Sequence, residues 1–248
     1  MWDNLSNFAA LDKNHKQKHI MANAQGQMNE ETFNQSEAFF VKYKKTIITA
    51  VAAVIIIAVG AILYNNYYAK PHADEASTIL AKGQAYFYSE EYEMALNGDK
   101  AGFYGLLALA SDYSGTDAAN LANLYAGLCY ANTGKWAEAV TYIEKYSPSD
   151  DQMISPAAVN ALGDAYSHTG DMDKAVECYR KAAKMADAKG VDGVNISLSP
   201  IFLIKAGEIL ESQGKKEDAL EIYKNIKAKY AGSPIWQDID KYIERASL

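Results

Sequence analysis

The sequence predicts an all-α protein: one N-terminal transmembrane helix, then a solenoid of antiparallel helix pairs closed by a C-terminal capping helix. Three observations carry this reading. Residues Thr46 to Tyr64 hold no charge, a spacing of glycine, alanine and bulky residues recurs four times after them, and the last sixteen residues are amphipathic.

The uncharged run is nineteen residues long. At about 1.5 Å per residue a helix of that length covers roughly 28 Å, close to the hydrocarbon thickness of a bilayer. Lys42, Lys44 and Lys45 precede it with Phe39, Phe40 and Tyr43, and Tyr64, Tyr67 and Tyr68 follow it. Aromatic residues at both ends suit the headgroup layers. A cleaved signal would lie nearer the N-terminus and end in small residues, whereas Tyr64-Asn65-Asn66-Tyr67-Tyr68 follows here. Residues 36–68 are therefore expected to form a juxtamembrane helix, capped by Ser36, and a span with its core at 46–64 in the lipid bilayer. Three lysines before the span and only Lys70 close after it place the N-terminus in the cytoplasm and the C-terminal domain across the membrane.

Residues 1–35 are polar and rich in Asn and Gln, and read as a disordered cytoplasmic tail. Met1, Met21 and Met28 are all candidate starts. The region after the span carries 18 Lys plus Arg against 26 Asp plus Glu, a net charge of −8, which gives no electrostatic reason to expect nucleic acid. Cys129 and Cys178 do not make a disulfide framework, and whether they stay free is open at this stage. His15 and His19 are spaced i, i+4 on the tail, but no carboxylate or cysteine completes a metal site there.

Three stretches align: "AGLCYANTGKWAEAVTYIEKY" from Ala126, "LGDAYSHTGDMDKAVECYRKA" from Leu162 and "AGEILESQGKKEDALEIYKNI" from Ala206. Each carries a glycine (127, 163, 207), a large residue three later, a second glycine (134, 170, 214), an alanine (139, 175, 219) and a bulky residue (Ile143, Tyr179, Tyr223). A fourth copy keeps Gly83, Tyr86 and Ala95 but has Glu90 in place of the second glycine. This pattern resembles the tetratricopeptide repeat, about four copies over 76–232. The second glycine sits where the first helix must end in a left-handed cap, and the first glycine and the alanine are small where two helices meet. Ser155-Pro156, Ser199-Pro200 and Ser233-Pro234 are expected to start helices, with serine as cap and proline in the first turn. The first glycines are 44, 36 and 44 residues apart, against about 34 for the family period. The excess falls near 97–116, where the second helix of the first pair is extended or broken, and near 187–198, as helix or loop. In 233–248, Ile235, Ile239, Tyr242, Ile243 and Ala246 share one helical face, as a capping helix requires.

No phosphate loop, GxSxG, HExxH or CxxC is present, and neither a cofactor nor a metal is expected. Cys129 falls at a small-residue position and reads as a buried thiol. The repeat resemblance implies a concave face lined by the first helix of each pair. Carried over, this gives Leu80, Gln84, Phe87 and Tyr88, then Leu121, Leu124, Leu128 and Asn132, then Asn160, Asp164, Ser167 and His168, and finally Ile201, Ile204, Glu208, Glu211 and Ser212. One end of such a groove is apolar and the other amide and acidic, with no Lys or Arg, which suits a peptide or a partner helix. Leu121, Leu124 and Leu128 are equally compatible with packing against neighbouring helices.

"SEAFFVKYKKTII", "YYAKPHADEAS", "MALNGD" and "GTDAANLANLYAGLCY" resemble the Bacteroidota-type form of the YfgM-like envelope proteins, over roughly 36–248. That resemblance implies a non-enzymatic, single-pass, periplasmic protein. It would be an ancillary chaperone or adaptor of the Sec translocon, with translocon subunits, a periplasmic prolyl isomerase chaperone or exported polypeptides as partners. A structural scaffold subunit of another inner-membrane complex and a cytosol-facing, import-receptor-like repeat protein remain alternatives.

Overall fold

A computed structural model describes residue 39 and residues 41–248. The expectations for the 1–35 tail and the cap at Ser36 lie outside the described residues. The chain divides into two units, Met1–Tyr68 and Ala69–Leu248, taken separately here.

In the first unit residues 41–64 are helical (α1). An eighteen-residue window of this helical segment has a mean hydropathy of 2.8 and none of it is buried, so it is long and apolar enough to cross a membrane. A π-helical turn follows at Asn65–Ala69. It includes Tyr67, the residue whose carbonyl would clash with the ring of Pro71 in a regular α-helix.

The second unit is built of helix pairs: α2 (Lys70–Tyr88), α3 (Tyr92–Asn97), α4 (Leu106–Asp112), α5 (Asp117–Asn132), α6 (Trp136–Ile143), α7 (Ile154–Thr169), α8 (Met172–Ala188), α9 (Ser199–Ser212) and α10 (Lys216–Lys229). A 3₁₀ turn, Pro234–Gln237, and α11 (Ile239–Ser247) end it. From α5 onward each helix packs mainly on its neighbours in the chain, as in a solenoid, while α2 and α3 also pack on α5 across the broken pair, and the core is a chain of linked clusters rather than one centre.

The glycine spacing works as its chemistry requires. Gly134, Gly170 and Gly214 turn the chain at φ between 75° and 87°. A methyl group on Gly127, Gly163 or Gly207 would come within 3.0 Å of Ile143, Tyr179 or Tyr223, the bulky residue sixteen positions on. In the first copy that position is Asp99, and the glycine is met instead by Leu106. The second helix of this pair is broken into α3 and α4, so the packing residue arrives seven positions late. Glu90 takes the left-handed turn at φ 60° without glycine.

The extra residues near 187–198 divide between helix and loop. Helix α8 runs to Ala188, and 189–198 form a tight loop with a Val191–Val194 bridge. Of the three Ser-Pro serines only Ser233 stands at an N-cap, before Pro234, and its side chain makes no cap bond; Ser155 and Ser199 fall inside their helices, contrary to expectation. Asp151 caps α7 instead, accepting from the amides of Met153 (2.9 Å), Ile154 (2.5 Å) and Ser155 (3.1 Å). Ser155 and Ser199 are buried inside the first turn, and the Ser233 hydroxyl is buried with no partner. Ile239 and Ala246 of the capping segment are buried, and Ile235, Tyr242 and Ile243 pack against the same cluster.

Candidate functional site

The first helices of the pairs bring an apolar strip together. Gln84, Phe87 and Tyr88 near the end of α2, Leu121, Leu124 and Leu128 along α5, and Met153, Ile154, Ala157, Ala158 and Ala161 at the start of α7 line a hollow of about 410 Å³ with Tyr125. The strip crosses the helices obliquely, from the end of α2 to the beginning of α7. Its two ends carry the exposed side chains, Tyr88 at 72%, Met153 at 68% and Ile154 at 51%, and the α5 residues between them are buried or half-buried. An aromatic cluster stiffens one end. Phe87 meets Tyr92 and Tyr125 edge-on, at 5.8 and 5.2 Å between ring centres, and the Tyr88 and Tyr125 hydroxyls lie 3.2 Å apart. Burial, then the Tyr88 hydroxyl, pushes the Tyr125 phenol up to about 12. The lining holds no Asp, Glu, Lys, Arg, His or Cys.

Six of the residues expected from sequence meet here: Gln84, Phe87, Tyr88, Leu121, Leu124 and Leu128. Leu124 is buried as well, and packs in the core with Ile143 and Tyr146. Leu80 and Ile204 require correction: both are buried in the core, because their helices turn that face toward the partner helix. Asn132 is exposed and donates to the Leu128 carbonyl of its own helix (2.9 Å). Ile201, Glu208 and Ser212 are exposed.

The polar end is occupied by the protein itself. Lys205 of α9 reaches both oxygens of Asp164 at 2.7 and 2.9 Å, and the Tyr179 hydroxyl donates to the same carboxylate (2.7 Å). Asn160 donates to Asp164 at 3.3 Å. Thus no Lys or Arg stands at the carried-over positions, yet a lysine from the neighbouring residue neutralises the carboxylate. Glu211 likewise accepts from the Tyr223 hydroxyl (2.7 Å) and pairs with Arg245. The Arg245 guanidinium and, more weakly, Tyr223 outweigh burial and hold the Glu211 carboxyl below its ordinary value. The His168 ring stacks on Trp136 at 3.7 Å and 5°, and Ser167 contacts the Met172 sulfur (3.9 Å). These residues join helix to helix and leave few groups free for a ligand.

Sequence reasoning missed Met153, Ile154 and Tyr125. With Ser155 read as the cap, Ile154 fell outside the helix, whereas α7 starts at Ile154, two residues before Pro156, under Asp151. The usable signal was Asp151 itself, four residues before Ser155, next to two exposed apolar residues.

Both cysteines are free. Burial pushes the Cys129 thiol up to about 12, which fits an inert core thiol. Cys178 is half-buried and lines a shallow hollow with Glu144 and Lys181, and burial raises its thiol too. Among the described residues no group of three His, Cys, Asp or Glu could hold a metal ion.

Tetratricopeptide repeat models match residues 156–189 in one form and residues 121–147 and 203–233 in another, each covering one helix pair. No curated protein matches the chain. Among solved structures it is similar to a Podosopora anserina chain described as a kinesin light chain with nearly identical TPR-like repeats. The identity is 16%, with a TM-score of 0.53 over 71% of this chain and 86% of that one. Those values are for its Q17M form, and the form without that substitution gives the same TM-score and identity over 70% of this chain. At that identity the likeness shows the fold alone. The second unit is a tetratricopeptide-repeat solenoid, a fold that serves protein–protein interaction.

Proposed function

We propose that this chain is a membrane-tethered, non-enzymatic interaction module. Residues 46–64 lie in the inner membrane, the N-terminus is cytoplasmic and the repeat domain is periplasmic. There it works as an ancillary chaperone or adaptor at the Sec translocon, holding translocon subunits, a prolyl isomerase chaperone or exported polypeptides. The apolar segment with its flanking lysines and aromatics supports the tether, and the resemblance to YfgM-like proteins supports the setting.

The observation that carries the interaction reading is the uncharged strip through Leu128, at whose ends Tyr88, Met153 and Ile154 stay open to solvent on an ordered scaffold. Tethering raises the effective concentration of weak contacts near the membrane, so a shallow hollow suffices.

Photo-crosslinking in cells from position 128, with products identified by mass spectrometry, tests it. Many exported chains together with translocon or isomerase subunits are expected. One stoichiometric partner without clients would make the chain a scaffold subunit. Protease added to spheroplasts should digest the repeat domain, and protection would overturn the periplasmic placement.

A further inference from the structure

We propose that the loop at 189–198 is the second half of the binding surface, and that the occupant of the whole is an uncharged, apolar polypeptide segment. This rests on the strip being the interaction surface and adds where it ends and what it selects.

Met153 lines the strip and also a second hollow of about 350 Å³, walled on its other side by the loop residues Val191 and Ile196. The two hollows therefore share a wall, and the apolar path continues from Tyr88 to the loop. Charged residues make up 22% of the chain, yet neither hollow has a single Asp, Glu, Lys, Arg or His in its lining. A partner's ionised side chain would be desolvated there with no counter-charge, so the surface complements a segment without charge.

The loop is held in shape rather than loose. Asp187 at its root is buried and accepts from the Asn195 amide (2.9 Å) and the Ser199 hydroxyl (2.6 Å). Val191 and Val194 bridge across it, and Gly190 lies so close to the Val194 carbonyl that no side chain fits. On this fixed turn Val191 is 82% exposed. A loop could satisfy its own backbone without presenting a valine to water. An ordered apolar tip beside an uncharged hollow is the geometry of a contact surface.

The test uses the full chain in lipid nanodiscs and a fluorescent peptide of Leu, Val, Ala, Ser and Gly. A peptide of about 14 residues covers both hollows at roughly 3.3 Å per extended residue. Tyr88→Ala reports the strip and Val191→Asp the loop. Both side chains are mostly exposed, so the fold is expected to survive, which circular dichroism checks. Val191→Asp and Tyr88→Ala should each weaken binding by roughly tenfold, and a peptide of the same length carrying three Lys or three Asp should bind at least about tenfold more weakly.

If Tyr88→Ala weakens binding and Val191→Asp does not, the loop is outside the site and this inference falls while the strip stands. If neither variant weakens binding, the strip reading fails with it. Charged peptides that bind as well as the neutral one overturn the assigned occupant. If Val191→Asp leaves peptide affinity unchanged but dissolves a dimer of the chain, or a photoprobe at 191 labels lipid in place of peptide, the loop serves a different occupant and the inference is wrong.

Discussion

The two insertions that lengthen the repeat period are built on the same device and end differently. At 98–105, Asp99 accepts from the Tyr86 hydroxyl (2.6 Å) and the amides of Ala101 (2.7 Å) and Phe103 (3.0 Å). At 189–198, Asp187 accepts from the Tyr230 hydroxyl (2.6 Å), the Asn195 amide and the Ser199 hydroxyl, and pairs with Lys229. In each, one carboxylate gathers loop amides and a tyrosine. The first loop then folds its apolar residue inward, with Phe103 2% exposed and Leu106 taking over a core position. The second buries the carboxylate and leaves its valine outside. The first insertion repairs the scaffold with Phe103 and Leu106 and leaves Tyr104 75% exposed; the second sets its exposed valine beside a hollow without a charged residue in its lining.

Burial decides how much each aspartate matters, and removing them is the largest test of that contrast. Asp187→Ala leaves Tyr230 and Lys229 without their acceptor, and Ser199 with only the Ala183 carbonyl, and should cost about 3 kcal/mol of stability. Hydrogen exchange should speed up over 189–198 and at the end of α10. Asp99→Ala should cost clearly less, since its partners reach water. Equal losses in thermal melts of the full chain would show that burial is not what separates the loops.

Acid should expose the same difference. At Asp187 burial pushes the carboxyl up, but bonds from Lys229, Ser199 and Tyr230 outweigh it and leave the value below the ordinary one. Asp151, also pushed up by burial, is brought down to about 2 by Ser155 and Ser149 and by backbone amides. A folded-state value below the unfolded one, about 3.9 for Asp, means stability that is complete above that value and lost as pH falls through the folded one. Melting temperature should therefore hold from about pH 7 to 5 and drop between about pH 4 and 2, with a smaller drop in Asp187→Ala. An equal drop in the variant would remove Asp187 from the acid response.

What the sequence could and could not tell follows from the range of each interaction. Gly134, Gly170 and Gly214 act through their own φ angles, so their role is readable on the spot. Gly127, Gly163 and Gly207 meet a residue sixteen positions on within one pair, still inside the repeated pattern. Asp187 meets Tyr230 43 residues away, and Lys205 meets Asp164 41 away, between different pairs where no pattern recurs. The polar half of the expected groove was misread for that reason: Asp164 and Glu211 looked free because their cations come from other helices. The apolar half was legible on α2 and α5, and stopped short on α7 because Ser155 was given the capping role of Asp151.

The first glycines sharpen the contrast between the irregular first pair and a regular one. Gly207→Ala would press a methyl on the Tyr223 ring, which is fixed through its hydroxyl to Glu211 and so cannot turn away. A cost of about 2 kcal/mol is expected. Gly83→Ala would meet the Leu106 side chain at 2.5 and 2.9 Å, an aliphatic group that no hydrogen bond pins as the Glu211 bond pins Tyr223, and about 1 kcal/mol is expected. Denaturant midpoints of the two variants, compared at equal slopes, decide it. A larger loss at Gly83 would mean that α4 is held more rigidly than a displaced substitute helix should be.

The smallest effect has the opposite sign. The second glycine of the regular pairs is Glu90 in the first, and its left-handed φ of 60° strains a residue with a side chain. Glu90→Gly removes that strain and should stabilise the chain by about 0.5–1 kcal/mol, the relief being partly offset by the greater freedom of glycine when unfolded. The turn already bonds through the Glu90 amide to the Phe87 carbonyl (3.0 Å), so nothing else needs to move. A rise in melting temperature would show the first pair to be a repeat like the others, burdened only by its turn residue. A fall would mean that the glutamate side chain contributes a contact that offsets the strain, and that this pair departs from the pattern in its turn as well as in its broken helix.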